Sequence, residues 1–539
     1  MASARIAGGQ DVSEWSEPVV LTFGAGINAQ KRSVDIDDTE CSDGQNFDLN
    51  FQQQSFKRRR AFDLVGTATN GLEIRGFAQL VKRNGTITTL VQAGQQVYSW
   101  NGSSTFTAVG TVSPATKMRG PRSHNSLLDE FVIITDLNKA TILKKWDGTS
   151  FTDFDHSLTG TSVYAKYCRI HKERAFFANV TAGSATPHII LASEIGAVRT
   201  LSSTNRPSSA LGLDSAFFLP SLDLRPINGL EQAFGAFFIS TESGSLQQLS
   251  GENAFDFKFE SLYEGSAIAG AEAMVGIGND VLFGLPGRIE SLSGTLEFGD
   301  VQTDDVSLWI TPFLANTTSW TLVYDRRTQK VFCFPNDQAA CYVFHKSLWS
   351  KGLESPSMWS RWVTDHAMGF QPTAIMAMLD PVSSQEVVYA GDLAGRIFLL
   401  DGRSGQDGGN TDLSSNRISK IFRLPDAQVF DIEGHLLTRK EFSATVTLTF
   451  QFAGSGIFDQ AITIPLTANT DFGVYDDASA DYSFYNDRTF YSSAFSGRLS
   501  RYPWRAAGQA SHAQLKVEVE GANEFEIDEI SFRFRAARG

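Results

Sequence analysis

Short pairs of β-strands joined by glycine turns recur along this sequence, and their spacing restricts the fold more than any other feature. One example is VVYAGDLAGRIFLLDG (Val387–Gly402), in which two apolar runs flank the turn Gly391–Gly395. Glycine permits the positive φ angles that such turns require, so this stretch predicts an antiparallel hairpin. Similar stretches with polar turns are found at Val97–Gly110, Ile142–Phe154, His188–Leu201, Ala236–Gly251, Asp280–Gly294 and Trp320–Pro335.

The spacing of these hairpins indicates a radial array of four-stranded units. Trp100 and Trp146 stand before matching Asn-Gly and Asp-Gly turns, 46 residues apart. Later turn glycines follow at about 45–50 residues with one double interval, which is the period of propeller blades: Gly196, Gly244, Gly287 and Gly395. We therefore predict an all-β fold in which residues 71–410 form a β-propeller with six or seven blades. Two consecutive β-sandwiches are the alternative, because they also consist of short, regularly spaced strands.

The sequence changes character on either side of this region. After a Gly/Asp-rich stretch at 401–410, apolar and polar residues alternate with period two in four segments: Phe442–Gly454, Gln460–Thr467, Ala513–Gly521 and Phe525–Ala537. Such alternation is typical of strands with one buried face. Residues 411–539 are therefore predicted to form an antiparallel β-sandwich-like domain. Residues 1–70 contain one strong strand and an acidic loop, and we expect them to dock on the C-terminal sheet.

The composition is that of a globular protein, with 42% hydrophobic and 20% charged residues over 539 positions. No window approaches the roughly 20 apolar residues of a membrane helix, so we expect no insertion into a lipid membrane. The N-terminus lacks the apolar core of a secretion signal, which favours synthesis and folding in a cytoplasm. The four cysteines are too few for a disulfide framework, and we expect reduced, buried thiols at Cys41, Cys168, Cys333 and Cys341.

Residue patterns for catalysis or cofactor binding are not found in the sequence. Gly24 and Gly26 follow a strand as in a dinucleotide fingerprint, but no apolar helical stripe comes after them. The acidic stretch 35–44 has Glu40 where a calcium loop needs glycine. A second acidic stretch, 475–487, is read as a solvated loop, with a loosely bound surface cation as the alternative. The eight histidines share no metal-ligand spacing. We therefore predict a protein that is not an enzyme and has no catalytic residues, metal or cofactor.

The charged residues support two different expectations about nucleic acid. The net charge of −14 argues against a protein that wraps nucleic acid electrostatically. One dense basic cluster, Lys57, Arg58, Arg59 and Arg60, stands out against this acidity. Four adjacent cations commonly remain solvated, but they are also our candidate contact for an acidic partner surface or for passing phosphates.

Residues around this cluster carry a resemblance to a known family. Within Leu21–Phe62, a Phe-x-x-Gly-x-Asn turn precedes an acidic loop, a Gln-Asn pair and a basic stretch; these places are filled by Phe23, Gly26, Asn28, Asp43, Gln45, Asn46 and Arg58–Arg60. The segment resembles the opening of nozzle, or tail tubular, proteins of short-tailed bacteriophages. That family usually has Arg-Pro-Gly after the basic residues, whereas this chain continues Arg60-Ala61-Phe62, so a different turn is expected there.

The resemblance extends over nearly the whole chain. The stretches FFISTESGSLQQLSGENAF, GNDVLFGLPGRIESLSG, FGDVQTDDVS, MWSRWV and VVYAGDLAGRIFLLDG occur in the order expected for the family. Each of them is short and built from common turn residues, and the specificity lies in their order.

The resemblance implies a structural protein of the virion tail, made in the cytoplasm of a bacterial host. Copies of the family form a ring, commonly a hexamer, below the portal and its adaptor proteins. The ring encloses a channel that retains and later conducts double-stranded DNA, and it adjoins tail fibre, needle or plug proteins. An acidic channel wall would keep the DNA from binding, because each neutralised phosphate adds affinity through released counterions. We therefore expect the negative charge to lie on the channel side.

A carbohydrate-binding or glycan-cleaving propeller that recognises the host surface is the alternative. Its sugar sites would be lined by tryptophans, of which the sequence offers Trp100, Trp146, Trp309, Trp320, Trp349, Trp359 and Trp362. Packing of these rings in strands is the competing explanation.

Overall fold

A computed structural model describes most of the chain. The described residues are 15–50, 55–120, 131–158, 160–202, 212–233, 235–278, 280–292, 304–348, 357–363, 372–402, 406–407, 411–438, 444–453, 460–466, 500–521 and 526–536. Their helical structure is limited to one turn of α-helix, α1 (Thr311–Leu314), and two 3-10 turns at Leu308–Ile310 and Lys346–Leu348. No helix in these ranges is long and apolar enough to cross a membrane. The predicted all-β class is confirmed.

Five short strands precede the repeating part of the chain: β1 (Val19–Leu21), β2 (Asp43–Gln45), β3 (Phe47–Asn50), β4 (Ser55–Arg58) and β5 (Asp63–Thr67). Sets of four strands then follow one another. The first set is β6 (Ile74–Val81), β7 (Ile87–Ala93), β8 (Gln96–Trp100) and β9 (Phe106–Thr111). The second is β10 (Met118–Arg119), β11 (Val132–Asp136), β12 (Lys144–Trp146) and β13 (Phe151–Asp153). The third is β14 (Val163–His171), β15 (Arg174–Ala182), β16 (Ser184–Ala192) and β17 (Phe217–Pro220).

The later sets repeat the same plan. The fourth is β18 (Ile227–Ala233), β19 (Ala236–Thr241), β20 (Ser245–Ser250) and β21 (Lys258–Glu264). The fifth is β22 (Met274–Gly276), β23 (Val281–Leu285), β24 (Arg288–Ser291) and β25 (Asp304–Asp305). The sixth is β26 (Trp320–Asp325), β27 (Lys330–Pro335), β28 (Ala340–His345) and β29 (Trp359–Val363). The seventh has β30 (Ala374–Leu379), β31 (Glu386–Gly391) and β32 (Arg396–Leu400), and its fourth strand is β5.

These sets are seven antiparallel four-stranded units within the described part of the chain; the first two are joined into one eight-stranded sheet, and the units close into a circle. The first strands of neighbouring sheets contact each other from β14 through β18, β22, β26 and β30 back to β6. The second set links the first to the third: its strand β10 pairs with β6 through a single parallel bridge, and its strand β11 lies beside β14. The chain contains a seven-bladed propeller, in agreement with the predicted six or seven blades. Two separate sandwiches would not close in this way.

Closure of the circle depends on a strand from outside the repeats. The outer strand of the seventh sheet is β5, which pairs antiparallel with β32 from Asp63↔Leu399 to Thr67↔Arg396. The sequence placed residues 63–70 with the N-terminal segment, and the structure places β5 in the propeller instead. The reason is that β32 would otherwise present an unpaired edge, and an N-proximal strand covers it.

Apolar side chains fill the spaces between adjacent blades. Ile74 and Phe77 of the first blade pack with Met376 and Tyr389 of the seventh. Comparable clusters join the first blade to the second, the second to the third, the third to the fourth and the fourth to the fifth. Phenylalanine, with 41 copies in the chain, supplies many of these contacts.

The predicted hairpin at His188–Leu201 is wrong: β16 ends at Ala192, Gly196 lies in a turn with no second strand after it, and β16 pairs with β17 instead. Two other turn glycines behave as the sequence predicts. Gly244 has a φ of +91° and Gly395 a φ of +77°. A Cβ at Gly244 would also lie 2.0 Å from the carbonyl oxygen of Gly265. Both the backbone conformation and the close approach therefore require glycine in that hairpin.

Chain contacts divide the protein into two units. The propeller unit comprises Asp63–Cys341 and Gly369–Leu400. The second, here called the discontinuous unit, comprises Met1–Phe62, Tyr342–Met368 and Asp401–Gly539. This division differs from the predicted boundaries at 70/71 and 410/411. It counts β5 with the propeller and the segment 342–368 with the terminal regions.

The discontinuous unit is built on one antiparallel sheet of ten described strands. Its remaining strands are β33 (Gln406–Asp407), β34 (Thr411–Thr438), β35 (Ala444–Ala453), β36 (Gln460–Leu466), β37 (Ser500–Gly521) and β38 (Glu526–Ala536). The main order is β3-β4-β38-β34-β37-β35-β36. In addition, β1 pairs with β38, while β2 and β33 pair with β34. The N-terminal strands thus join the C-terminal sheet, which is the docking expected from the sequence.

Alternating burial gives this sheet its core. Along β37, Ala513, Leu515, Val517 and Val519 are buried and their neighbours are partly exposed. The longest strand, β34, has 28 residues, an extended length of about 90 Å. Its pairing with β37 shifts register between Arg423 and Gln428, around Pro425. Proline has no backbone N–H to donate, so the ladder is interrupted there.

Candidate functional site: buried arginines of the discontinuous unit

The predicted basic contact, Lys57–Arg60, lies at the end of β4 and just after it. Arg58 and Arg59 are 1% and 0% exposed, whereas Lys57 and Arg60 are half-buried. The hypothesis that all four cations face a partner or passing phosphates is therefore wrong for Arg58 and Arg59. Burying such groups is tolerated only where hydrogen bonds and ion pairs compensate the cost.

Arg59 makes a fully satisfied set of hydrogen bonds. Its Nη2 and Nη1 donate to the two carboxylate oxygens of Asp407 at 2.6 and 3.0 Å. Nε donates to Asn46 Oδ1 at 2.9 Å, Nη2 to the carbonyl of Val363 at 3.1 Å and Nη1 to that of Arg60 at 2.9 Å. All five N–H bonds of the guanidinium are used. Arg59 therefore ties β4 to β29 and to β33.

Asn46 is the second centre of this arrangement. Its φ of +58° is a left-handed conformation that asparagine tolerates better than most residues. Its Oδ1 accepts from Arg59 and from the backbone N–H of Val363, and its Nδ2 donates to the carbonyl of Ser414. One amide group thus joins three separate segments of the chain.

A second buried arginine, Arg417 on β34, lies among aromatic rings. Its guanidinium carbon is 3.8 Å from the ring centre of Phe47, 4.9 Å from that of Phe56 and 5.8 Å from that of Phe23. Nη1 donates to the carbonyls of Phe23 and Ala25. Burial lowers the pKa of Arg417 to about 10, so the side chain remains charged at neutral pH. The ring faces stabilise that charge in the absence of a paired carboxylate among the described residues.

The Gly-x-Asn turn and the acidic loop form the third contact. Asn28 Nδ2 donates to Glu40 Oε2 at 2.8 Å, and Glu40 Oε1 accepts from the backbone N–H of Ser357 at 2.8 Å. A Cβ at Gly26 would lie 2.3 Å from the carbonyl oxygen of Trp359. Gly26 and Glu40, which belong to the glycine turn and the acidic stretch considered for nucleotide and cation binding, are thus packing residues of the discontinuous unit.

One arrangement has the order of a catalytic triad and was missed by the sequence reasoning. His345 Nε2 lies 3.0 Å from Ser360 Oγ, and its Nδ1 lies 3.5 Å from Asp48 Oδ1. Ser360 is 0% exposed, however, and its Oγ also accepts from Trp362 Nε1 at 3.0 Å. A nucleophile must be reachable by substrate. This trio therefore acts as a buried hydrogen-bond chain between β3, β28 and β29.

The other predicted groups are placed as follows. All four cysteines are free and buried, and burial raises the pKa of Cys41 and of Cys168 to about 12. Among the described residues, no cluster of three His, Cys, Asp or Glu side chains is arranged to hold a metal ion. The acidic stretch 475–487 lies outside the described residues.

The tryptophans considered for sugar binding are mainly core residues. The buried ones are Trp100, Trp146, Trp320, Trp359 and Trp362. Trp309 is half-buried, and Trp349 lies outside the described residues. Packing therefore accounts for most of this set.

Comparisons with known proteins bear on the fold. No family model matches the chain, and no curated protein matches it. Among solved structures, the Neurospora crassa Pan2 WD40 domain is similar at 10% identity and a TM-score of 0.40, covering 63% of this chain and 95% of that one. YCF48 bound to D1 peptide has 9% identity and a TM-score of 0.40, with coverage of 64% and 100%. The WD40 domain of Toxoplasma gondii coronin has 9% identity and a TM-score of 0.37, with coverage of 64% and 85%. The closed circle of seven sheets defines the propeller independently of these similarities.

Proposed function

We propose that this protein is a structural subunit of the tail nozzle of a short-tailed bacteriophage. In this proposal several copies, six by analogy with the family, form a ring around a channel that retains and then conducts the viral DNA. The ring joins the portal adaptor proteins to the distal fibre, needle or plug proteins. The protein has no enzymatic role in this proposal.

The main support for the proposal is where the structure places the residues that resemble the family. Asn28, Asn46 and Arg59 belong to a network that reaches chain segments hundreds of positions away, and Phe23 lies against Arg417. These residues interlock the segments of one unit. The resemblance therefore lies in residues that build the architecture of this unit.

The two units also suit a ring wall. A heterologous ring contact needs two different surfaces on each subunit, and an all-β chain with two distinct units can supply them. A closed propeller is a rigid scaffold from which many loops can contact neighbours.

The net charge fits a DNA conduit. The chain carries a net charge of −14. An excess of acidic over basic side chains means fewer phosphates neutralised and weaker binding of the duplex. DNA could then move past the subunit with little retention.

Electron microscopy with gold-labelled antibodies against the purified chain tests this proposal on virions of the phage that encodes it. We expect label at the tail vertex and the chain among the virion proteins detected by mass spectrometry. Absence of the chain from purified virions, together with glycan-array binding by a monomer, would instead support the carbohydrate-binding alternative.

A further inference from the structure

The propeller unit contains a charged cavity near the inner ends of four neighbouring blades. It lies among β10, β11, β14, β18 and β22 and is lined in part by Arg119, Thr135, Lys166, Arg169 and Glu272. Inner strands of a propeller converge at its centre, so polar side chains from several blades meet there. Positively charged side chains outnumber carboxylates among the described residues that line this cavity.

Two cations compete for one carboxylate on one side of the cavity. Arg119 Nε and Nη2 donate to the two oxygens of Glu272 at 2.6 and 2.5 Å. Lys117 Nζ lies 3.8 Å from the same carboxylate. Burial and the charge of Arg119 lower the pKa of Lys117, as expected where positive charge is in excess.

Arg169 contributes an unused donor. Its Nη2 lies 3.2 Å from Glu231 Oε2, and Nη1 donates to the carbonyl of Cys168. The side chain is 9% exposed, and its Nε is buried without a hydrogen-bond partner among the described residues. The guanidinium therefore keeps hydrogen-bonding capacity beyond its pair with Glu231.

Lys166 adds a further charge without a counterion. Within the described ranges no carboxylate forms an ion pair with it. Its neighbour Lys139 is bonded to uncharged oxygens of Asn179 and Thr181, and burial together with the charge of Lys166 lowers the pKa of Lys139. Among the described residues, three cations and one carboxylate line the cavity: Arg119, Lys166, Arg169 and Glu272. Lys117 and Glu231, which pair with lining residues, add one charge of each sign.

We propose that this cavity binds a tetrahedral dianion of the phosphate class. Arg119, Lys166 and Arg169, which line the cavity, supply the hydrogen-bond donors and the compensating charge. A dianion neutralises the excess of two positive charges, which a monoanion does not. Arginine and lysine are the side chains that proteins commonly use for this chemistry. The inference is independent of the proposed role in a phage tail.

Calorimetric titration of the purified full-length chain with inorganic phosphate tests the proposal, against sodium chloride of equal ionic strength. We expect one phosphate per chain, and an affinity at least tenfold weaker in Lys166→Gln. Lys166→Arg keeps the charge and should retain binding. Lys258→Gln is the matched control, because Lys258 is 66% exposed on the outer strand β21 and pairs with Glu260.

Three results would overturn the proposal. The first is a wild-type chain that responds equally to phosphate and chloride. The second is an unchanged phosphate affinity in Lys166→Gln. The third is equal binding of acetate and phosphate, since a monocarboxylate leaves one positive charge uncompensated. Circular dichroism of Lys166→Gln distinguishes lost binding from lost folding. If this variant misfolds, phosphate binding by Lys166→Arg and the comparison of phosphate with chloride and acetate decide the question.

Discussion

Replacing Asp407 by asparagine should selectively destabilise the discontinuous unit. Asp407 accepts two bonds from the fully buried Arg59 and a third from the backbone N–H of Phe62. An asparagine side chain at this position would keep one acceptor oxygen and turn an NH₂ group toward a guanidinium that has only donors. Because the variant leaves a buried cation without its counterion, we expect a loss of about 3–5 kcal/mol.

Hydrogen exchange measured by mass spectrometry is the appropriate assay, because a chain of two units need not unfold in one step. A loss of this size should accelerate exchange roughly 150- to 4,000-fold in peptides covering β4 and β29. Peptides from the first four blades should change much less. Asp431→Asn is the control: Asp431 pairs with Arg535 at 2.8 Å, but both side chains are about 40% exposed. Its effect should stay below about 1 kcal/mol.

A double-mutant cycle sharpens this prediction. The double variant Arg59→Met/Asp407→Leu should lose less stability than the sum of the losses in the two single variants, because removing both charges leaves neither one buried and unpaired. An Asp407→Asn variant with exchange within a factor of about three of the wild type would refute the reasoning, since that factor corresponds to under about 1 kcal/mol. Strictly additive effects in the cycle would refute it as well.

Three further predictions concern other parts of the molecule. Burial lowers the pKa of His171 to about 4. Between about pH 4 and pH 6.5 the unfolded chain therefore binds one more proton than the folded chain. The free energy of unfolding of the propeller should be highest above about pH 6.5 and fall by up to about 3 kcal/mol on acidification to about pH 4. Urea unfolding at several pH values should show this slope, and His171→Gln should reduce it. Gly26→Ala should destabilise the discontinuous unit by several-fold more than Gly71→Ala destabilises the propeller, because the new Cβ at Gly26 meets the Trp359 backbone, whereas Gly71 faces open space and an alanine there is strained only by the φ of +64°; thermal unfolding of both variants provides the comparison. The purified chain should not bind a DNA duplex of about 30 bp at micromolar concentration in about 150 mM salt, and fluorescence anisotropy showing tight, strongly salt-dependent binding would contradict this.

The propeller could be predicted from sequence because its signal is local and repeated. Most of the hairpins carry their own turn glycine, and the period of the turns survives large changes in the intervening residues. The blade number was harder to predict. The strand β10 has only two residues, and β5 joins a partner more than 300 positions away. Neither feature leaves a periodic pattern.

The buried arginines could not be predicted, because their partners are distant in sequence. Asp407 lies in the Gly/Asp-rich stretch 401–410, 348 positions from Arg59. The only local signal is the pair of aromatic residues, Phe56 and Phe62, at the two ends of the basic cluster. Side chains on a strand alternate between its two faces, so a cation on the same strand as a buried aromatic residue can itself be buried. Arg58, the last residue of β4, is such a cation.

Electron microscopy of the phage tail at side-chain resolution is the most direct test of the proposed role. We expect a closed ring of identical subunits around a DNA-sized channel, each containing a seven-bladed propeller whose last blade is completed by Asp63–Thr67. We also expect the channel wall to carry acidic side chains. A tail vertex without this chain, or a ring whose channel is lined by basic residues, would contradict the proposed role.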